Sequence, residues 1–203
     1  MRILFQGDSI TDGGRDRSDP HDLGLSYPGY AAKYIRDAYP RADLEFIDLG
    51  ISGDRTDTLL ERWESDAVAI QPDVTSILIG INDAWYHAEN KDRVAHTDFE
   101  RCYRACLESL KTRTSSKIII LEPFLCYTEE NAFLRCYLDP KIQIVRKLAR
   151  EYADAFVPLD GIFAEHSITQ LPTHWSDDGV HPNASGAALI GKYYLEAFKK
   201  ALL

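Results

Sequence analysis

The chain has 203 residues, of which 45% are hydrophobic and 27% are charged, and its formal net charge is −9 at pH 7. A chain of this length buries about 70% of the surface that it exposes when unfolded, so one domain spanning residues 1–203 needs no disulfide or metal to fold. The acidic charge argues against nucleic acid and anionic membranes as partners, because both repel such a surface.

The chain begins directly with an apolar run, without the basic and apolar regions of a secretory leader. No apolar run approaches the about 18 residues that a membrane span needs. The four cysteines show neither a CxxC motif nor a paired spacing with histidines, so neither zinc nor a redox motif is indicated. We therefore expect a cytoplasmic, reduced protein.

Five short apolar runs alternate with amphipathic stretches along the chain. The hydrophobicity of the runs is continuous rather than alternating, which is typical of strands that are covered on both faces. The predicted strands are Arg2–Gln6, Leu44–Gly50, Val74–Gly80, Lys117–Glu122 and Ala155–Leu159.

Apolar residues between these strands recur with the period of a helix. Repeated strand–helix alternation implies right-handed crossovers and a parallel sheet that lies between two layers of helices, which is an α/β fold. The predicted helices run from Tyr27 to Ala38, from Thr56 to Ile70, from Phe99 to Leu110, from Pro140 to Tyr152 and from Ala184 to Ala201.

Four polar, glycine-bearing segments follow the predicted strands. They are "GDS" at 7–9, "GISGDRT" at 50–56, "GINDAW" at 80–85 and "WSDDGVHPNASG" at 175–186. Ligands bind outside the carboxyl ends of the strands in an open α/β sheet. The four segments therefore converge on one edge and form the candidate site.

Ser9 could cap a helix, bind phosphate or act as a nucleophile. The chain has neither the GxxxxGK[ST] motif of a phosphate loop nor the GxGxxG motif of a dinucleotide site. Asp8 and Asp12 also place negative charge beside Ser9, which has the wrong sign for phosphate. The remaining alternatives for Ser9 are a turn or cap residue and a nucleophile.

A nucleophilic serine needs a base and a third group that orients the base. His181 is the best candidate base, because Asp178 lies three residues upstream and one tight turn would let its carboxylate accept the Nδ1–H. Asp177 competes with Asp178 for this role. Acyl transfer also needs donors for the developing oxyanion, and the candidates are the backbone N–H groups of Ser9 and Gly53 and the side-chain amide of Asn82.

The blocks "GDSIT", "GISGD", "GIND" and "DGVHP" resemble, in order, the four sequence blocks of the SGNH or GDSL-type hydrolases. The family's Ser, Gly, Asn and His correspond to Ser9, Gly53, Asn82 and His181. The resemblance implies a flavodoxin-like three-layer α/β/α sandwich with a five-stranded parallel sheet, an Asp178–His181–Ser9 triad, no metal and no organic cofactor. It also implies hydrolysis of acyl esters or thioesters through a serine acyl-enzyme.

Within that family the motifs are most similar to carbohydrate acetylesterases such as the acetylxylan esterases. One departure is Asp48, which stands where many members have Asn. Relatives of the acetylesterase type often form oligomers. The long apolar segment Pro123–Asp139 could therefore rim the pocket or contact another copy of the chain.

The resulting hypothesis is a serine esterase that removes small acyl groups, acetyl first, from carbohydrates. One alternative is a lysophospholipase or thioesterase that acts on medium acyl chains through the same residues. Another is a non-catalytic carbohydrate-binding protein of the same fold. Aromatic side chains at a site mouth can stack on sugar rings, although they can equally belong to the core, and the candidate substrate-binding residues are Asp8, Trp85, Tyr86 and Trp175.

Overall fold

A computed structural model describes residues 1–90 and 95–203, and for residues 95–97 it describes the backbone alone. Five strands form one sheet in which all neighbours are parallel, in the order β2-β1-β3-β4-β5. This is the flavodoxin-like strand order, and the predicted fold class is confirmed. The strands are β1 (Arg2–Gly7), β2 (Glu45–Asp48), β3 (Val74–Leu78), β4 (Lys117–Leu121) and β5 (Ala155–Val157).

Helices cover both faces of the sheet. On β1, Ile3 and Phe5 belong to one hydrophobic core and Leu4 to the other, because successive side chains of a strand point to opposite faces. Both faces are therefore buried, as the continuous apolar runs predict. The helices are α1 (Ser9–Asp12), α2 (Tyr27–Ala38), α3 (Thr56–Glu61), α4 (Ile81–Asn90), α5 (Ala95–Arg113), α6 (Arg135–Tyr152), α7 (Leu159–His166) and α8 (Ala184–Ala201).

Helix α6 begins at Arg135, upstream of the predicted start at Pro140. Leu138, Ile142 and Val145 recur at helical spacing and are at most 3% exposed. Their burial offsets the backbone hydrogen bond that a proline inside a helix removes. The connection after β4 is therefore shorter than predicted, because a 3₁₀ turn (Ala132–Leu134) and the start of α6 occupy its second half.

Helices α1, α4 and α7 are not predicted from the sequence. All three begin within three residues of a strand end: α1 at Ser9, α4 at Ile81 and α7 at Leu159. Strand β3 accordingly ends at Leu78, before the predicted end at Gly80. The segments read as polar loops thus contain the first turns of helices. None of the described helices combines the length and the apolar character needed to cross a bilayer.

Candidate active site

The candidate site lies at the carboxyl ends of β1, β2 and β3. Strand β1 pairs with β2 on one side and with β3 on the other, so the chain order reverses there. This is the topological switch point at which open α/β sheets bind ligands. Ser9 follows β1, Gly53 lies in the loop after β2, and Asn82 lies in the first turn of α4 after β3.

Asp8 holds Ser9 at the start of α1. Its Oδ1 accepts a hydrogen bond from the N–H of Ile10 at 3.0 Å, which caps the helix. The side chain is sealed from solvent, and burial raises the pKa of Asp8 to about 7. The predicted contact of Asp8 with substrate does not fit this placement, because the carboxyl faces the protein interior.

The Ser9 hydroxyl, the His181 imidazole and the Asp178 carboxylate form one hydrogen-bonded chain. Ser9 Oγ lies 2.9 Å from His181 Nε2, and His181 Nδ1 lies 2.6 Å from Asp178 Oδ2. With the proton on Nδ1, the histidine donates to the carboxylate and its Nε2 can accept the serine proton. Residues that are 172 positions apart in the chain are thereby brought together.

The turn at Asp178 orients its own carboxylate. Oδ1 accepts hydrogen bonds from the N–H groups of Val180 at 2.8 Å and His181 at 2.7 Å, which leaves Oδ2 for the imidazole. The Ser176 hydroxyl lies 3.1 Å from the same Oδ1. Partial burial opposes ionisation, but the hydrogen bonds from His181 and the backbone hold the pKa of Asp178 below its ordinary value.

Residues 175–183, which we call the histidine loop, lie partly in solvent. The side chains of Asp178 and His181 are 53% and 54% exposed. The segment after β4 supports this loop, since the N–H of Cys126 donates to Gly179 O at 2.8 Å and the Asn131 amide donates to Asp178 O. Part of the predicted pocket-rim segment thus holds the histidine loop, and its contact with other copies of the chain stays a prediction.

Gly53, Asp54 and Asn82, which we call the oxyanion region, are joined by a hydrogen bond. Asn82 Nδ2 donates to Asp54 O at 3.0 Å, so the two predicted donors Gly53 and Asn82 lie on connected segments. Gly53 has a φ of +91°, which glycine adopts without strain. Upstream, a Cβ on Gly50 would lie 2.5 Å from the backbone nitrogen of Asp12, so this loop packs directly against α1.

Arg62 ties the oxyanion region to the end of β1. Its Nε donates to Asp54 Oδ2 at 2.8 Å, and its Nη1 donates to Gln6 Oε1 and to Asp66 Oδ2, each at 3.0 Å. Its Nη2 also reaches Gly7 O at 3.4 Å. The side chain is only 14% exposed. Arg62 therefore fixes the loop after β2 relative to the strand that leads to Ser9.

A buried carboxyl joins α4 to α3 in the same way. Asp83 Oδ1 accepts the Thr56 hydroxyl at 2.7 Å, and both its oxygens lie 3.2 Å from the Thr56 N–H. Burial raises the pKa of Asp83 to about 6. Asn82 and the loop after β2 are therefore linked twice, through Asp54 and through Thr56.

A cavity of about 600 Å³ opens beside Ser9 and His181. Its lining combines polar and apolar surface, and its main contributor is the charged stretch that follows the serine, "TDGGRDR" at 11–17. In the sequence analysis, Asp12 from this stretch is used only as evidence against phosphate binding. The position of the stretch directly after Ser9 could have indicated a substrate contact. From that stretch the cavity is lined by Asp12, Gly13, Gly14, Arg15 and Arg17, and the further lining residues are Ile10, Leu25, Ser26, Ser52 and Pro182.

The predicted aromatic contacts lie elsewhere. Trp175 is 9% exposed and packs edge-on against Phe163, so it belongs to the core. The centre of the Tyr86 ring lies 4.5 Å from the guanidinium carbon of Arg55. Tyr86 lines a separate cavity of about 290 Å³. Trp85 donates from Nε1 to Glu89 at 2.9 Å. Among the described residues, none of these three aromatics lines the cavity beside Ser9.

Comparison with known sequences places this geometry among ester hydrolases. Residues 5–189 match the sequence model of the GDSL-like lipase/acylhydrolase family. The chain is 33% identical over 204 residues to an acetylxylan esterase from Geobacillus stearothermophilus, which covers 96% of this chain and 92% of that protein.

Solved structures agree with the sequence comparison. A candidate GDSL-like lipase from Parabacteroides merdae has a TM-score of 0.90 at 33% identity, covering 98% of this chain and 95% of its own. Axe2, an acetylxylan esterase from G. stearothermophilus, has a TM-score of 0.87 at 30% identity, covering all of this chain and 94% of its own. Catalytic mutants of Axe2 replace a serine, an aspartate and a histidine, the last two being three positions apart.

Proposed function

This chain belongs to the GDSL-like lipase/acylhydrolase family and is an ester-hydrolysing enzyme; from that premise we propose that it removes acetyl groups from carbohydrates through an acyl-enzyme on Ser9. The observation that carries the proposal is the hydrogen-bonded chain from Ser9 through His181 to Asp178. A hydroxyl, an imidazole and a carboxylate in this order are the parts that serine acyl transfer requires.

In the first half of the reaction, Ser9 Oγ attacks the carbonyl carbon of the ester while His181 Nε2 accepts the hydroxyl proton. Asp178 accepts the Nδ1–H and stabilises the imidazolium that forms, and its lowered pKa keeps it ionised at neutral pH. The N–H groups of Ser9 and Gly53 and the amide of Asn82 are the donors for the oxyanion of the tetrahedral intermediate. The NH₂ group of Asn82 has two N–H bonds, so it keeps one on Asp54 O and donates the other to the oxyanion.

In the second half, the tetrahedral intermediate collapses. His181 gives its proton to the sugar oxygen, the carbon–oxygen bond of the ester breaks, and the acyl group stays on Ser9. A water molecule then loses a proton to His181 Nε2 and attacks the acyl carbon. Collapse of the second intermediate returns the proton to Ser9 Oγ and releases acetate. The exposed histidine loop leaves His181 accessible to both the sugar and the water.

The carbohydrate part of the proposal is supported by the similarity to acetylxylan esterases. The charged side chains of Asp12 and Arg17, which line the cavity beside Ser9, also suit a hydroxyl-rich alcohol. We therefore place the saccharide in this cavity and the small acyl group at the oxyanion region.

The test is hydrolysis of p-nitrophenyl acetate and of acetylated xylo-oligosaccharides by the wild type and by Ser9→Ala. We expect the substitution to reduce kcat by at least about 10⁴-fold on both substrates, because no other group replaces the nucleophile. The matched control is Ser18→Ala, since Ser18 lies on an exposed turn and donates only to Asp16. Undiminished hydrolysis by Ser9→Ala would reject the mechanism.

A series of p-nitrophenyl esters of increasing chain length tests the alternative substrate. We expect the rate to be highest with acetate and to fall as the acyl chain lengthens. A maximum beyond about six carbons would instead favour a lysophospholipase or thioesterase, because each further buried methylene then adds about 0.8 kcal/mol of binding.

A further inference from the structure

The cavity beside Ser9 contains an ion pair that the ester chemistry does not use. Arg17 donates from Nε to Asp12 Oδ2 at 3.0 Å, and its Nη2 donates to the same oxygen. Both residues line the cavity together with Ser9 and His181. The Arg17 side chain is 50% exposed and that of Asp12 is 4% exposed. The pair thus combines an anchored carboxylate with a guanidinium that reaches into the cavity.

The carboxylate of Asp12 is held through one oxygen. Oδ2 accepts both bonds from Arg17 and a third from the N–H of Ser52 at 2.9 Å. No residue in the described part of the chain donates to Oδ1, and this oxygen is not sealed from solvent as Oδ2 of Asp8 is. Although burial opposes it, Arg17 and Ser52 lower the pKa of Asp12, so the free oxygen is an ionised acceptor.

The guanidinium of Arg17 is also only partly used. Nε and Nη2 bind Asp12, whereas Nη1 binds no residue within the described ranges. Its N–H groups are therefore available as donors next to the free acceptor of Asp12. A sugar hydroxyl both donates and accepts, so neighbouring hydroxyls fit an adjacent donor and acceptor.

Two further features of the cavity agree with a neutral sugar as the ligand. The charges of Asp12 and Arg17 cancel, so the pair does not select an anionic ligand over a neutral one. Leu25 lines the same cavity and is 89% exposed, which provides an apolar surface for the C–H face of a sugar ring.

We propose that Asp12 and Arg17 form the subsite that binds the hydroxyl groups of the saccharide whose ester is cleaved at Ser9. The inference rests on the proposed function, since it names the part of the site that would make the enzyme prefer a sugar ester. Asp12 also holds Ser52, next to Gly53, so Arg17 is the residue whose replacement separates substrate recognition from positioning.

The experiment compares kcat/KM for an acetylated xylo-oligosaccharide with kcat/KM for p-nitrophenyl acetate, which has no sugar. We expect Arg17→Ala to lower the ratio of the two kcat/KM values by about 10-fold to 100-fold. Only the saccharide substrate makes hydrogen bonds to the charged group that the substitution removes. The loss should lie mainly in KM. Arg113→Ala is the matched control, since Arg113 is 51% exposed and pairs with Glu64 away from the cavity.

A ratio that stays the same in Arg17→Ala would overturn the inference, whether both rates fall or neither does. It would leave the proposed function standing if the wild type still cleaves the acetylated saccharide in a Ser9-dependent way. A wild type that cleaves p-nitrophenyl acetate but no acetylated saccharide would overturn both. These results are distinguishable because the wild type and the variant are assayed on the same two substrates.

Inhibition provides a second measurement that does not depend on turnover of the saccharide. A xylo-oligosaccharide without acetyl groups should compete with p-nitrophenyl acetate in the wild type, and its inhibition constant should rise at least about 10-fold in Arg17→Ala. Hydrolysis of p-nitrophenyl acetate reports in the same assay that the variant is folded. An unchanged inhibition constant would contradict the subsite.

Discussion

The histidine loop contacts Ser9 directly, the oxyanion region is connected through Arg62 to the strand that leads to Ser9, and different interactions hold the two. The oxyanion region is connected to the sheet by Arg62, which contacts Asp54, Gln6 and Gly7. The buried carboxyl of Asp83 joins the helix that carries Asn82 to Thr56, after the same loop. The histidine loop is half exposed and is held by short-range hydrogen bonds, most of them made by Asp178 itself. The first is a long-range network, whereas the second is mainly a local turn to which the segment after β4 adds two hydrogen bonds.

This difference agrees with the two tasks in the proposed mechanism, which are stabilisation of the oxyanion and proton transfer by His181. Donors to an oxyanion are most effective when they are already oriented and shielded from water, so that nothing has to reorganise during the reaction. In the proposed mechanism the imidazole instead exchanges protons with a leaving sugar and with a water molecule, and both must be able to reach it. Three substitutions test whether the two regions depend on these different interactions, and a fourth tests the buried carboxyl of Asp48.

The largest effect is expected in the histidine loop, from Asp178→Asn. Oδ1 is occupied by the N–H groups of Val180 and His181, so the new carboxamide would direct its NH₂ group at His181 Nδ1. That stabilises the tautomer with the proton on Nε2, which cannot accept the serine proton. We expect kcat for p-nitrophenyl acetate to fall by about 10³–10⁴-fold.

The control for this variant is Asp177→Asn, which changes the neighbouring exposed carboxylate. It should retain the activity of the wild type. Equal losses in the two variants would mean that the general charge of the loop matters and not the contact to His181, and would leave Asp177 as the competing candidate.

In the oxyanion region, Asn82→Ala removes one proposed donor and the hydrogen bond to Asp54 O. We expect kcat to fall by about 10²–10³-fold, the usual loss for one oxyanion donor, with a smaller change in KM. Steady-state kinetics on p-nitrophenyl acetate measures both quantities. A change confined to KM would show that Asn82 binds the ground state and not the oxyanion.

Arg62→Lys tests the long-range network without touching a proposed donor. A lysine ammonium cannot reach Asp54, Gln6 and Gly7 together as the planar guanidinium does. We expect kcat to fall by about 10-fold while KM stays within about twofold, because the oxyanion donors lose their alignment. Arg113→Lys, in an exposed pair with Glu64, is the control and should keep its kcat.

The smallest effect is on stability, and it concerns Asp48, which departs from the family's Asn. Its side chain is sealed from solvent, with Oδ1 bound to the N–H of Gly50 at 2.8 Å and 3.7 Å from Arg15 Nε. Burial raises the pKa of Asp48 to about 8, with Arg15 opposing the shift and Asp12 and Asp22 adding to it. The folded protein thus keeps a proton that the unfolded chain has lost.

Stability should therefore fall as the pH rises from about 5 to about 8, since the folded state binds more protons in this range. Asp48→Asn cannot titrate at this position, so its loss of stability over the same range should be smaller by about 1 kcal/mol or more. Denaturant unfolding at several pH values measures the difference. Parallel curves for the two proteins would contradict the raised pKa.

Much of the fold could be predicted from the sequence because its signals are local. Continuous apolar runs such as "KIIIL" at 117–121 indicate strands that are buried on both faces, and the alternation with helices implies a parallel sheet. Helices α1 and α4 were not predicted, because they begin directly after strands and their first turns resemble polar loops. The predicted start of α6 at Pro140 is wrong, because the burial of Leu138 outweighs the preference of proline for a first turn.

For the site, the sequence by itself determined the chemical groups and their local geometry. The three-residue spacing of Asp178 and His181 and the position of Ser9 directly after a strand already predict which atoms could meet, and the structure places them within hydrogen-bond distance. Such features depend on neighbours in the chain, so a single sequence contains them.

Only the tertiary structure decided which side chains line the cavity beside Ser9. Asp8 and Asp12 both lie beside Ser9 in the chain, but Asp8 faces the interior and Asp12 lines the cavity. Trp175 belongs to the core, whereas Leu25, which is part of no sequence motif, is exposed beside Ser9. The exposure and partners of these single side chains depend on contacts between segments that are far apart in sequence, and motif spacing does not contain that information.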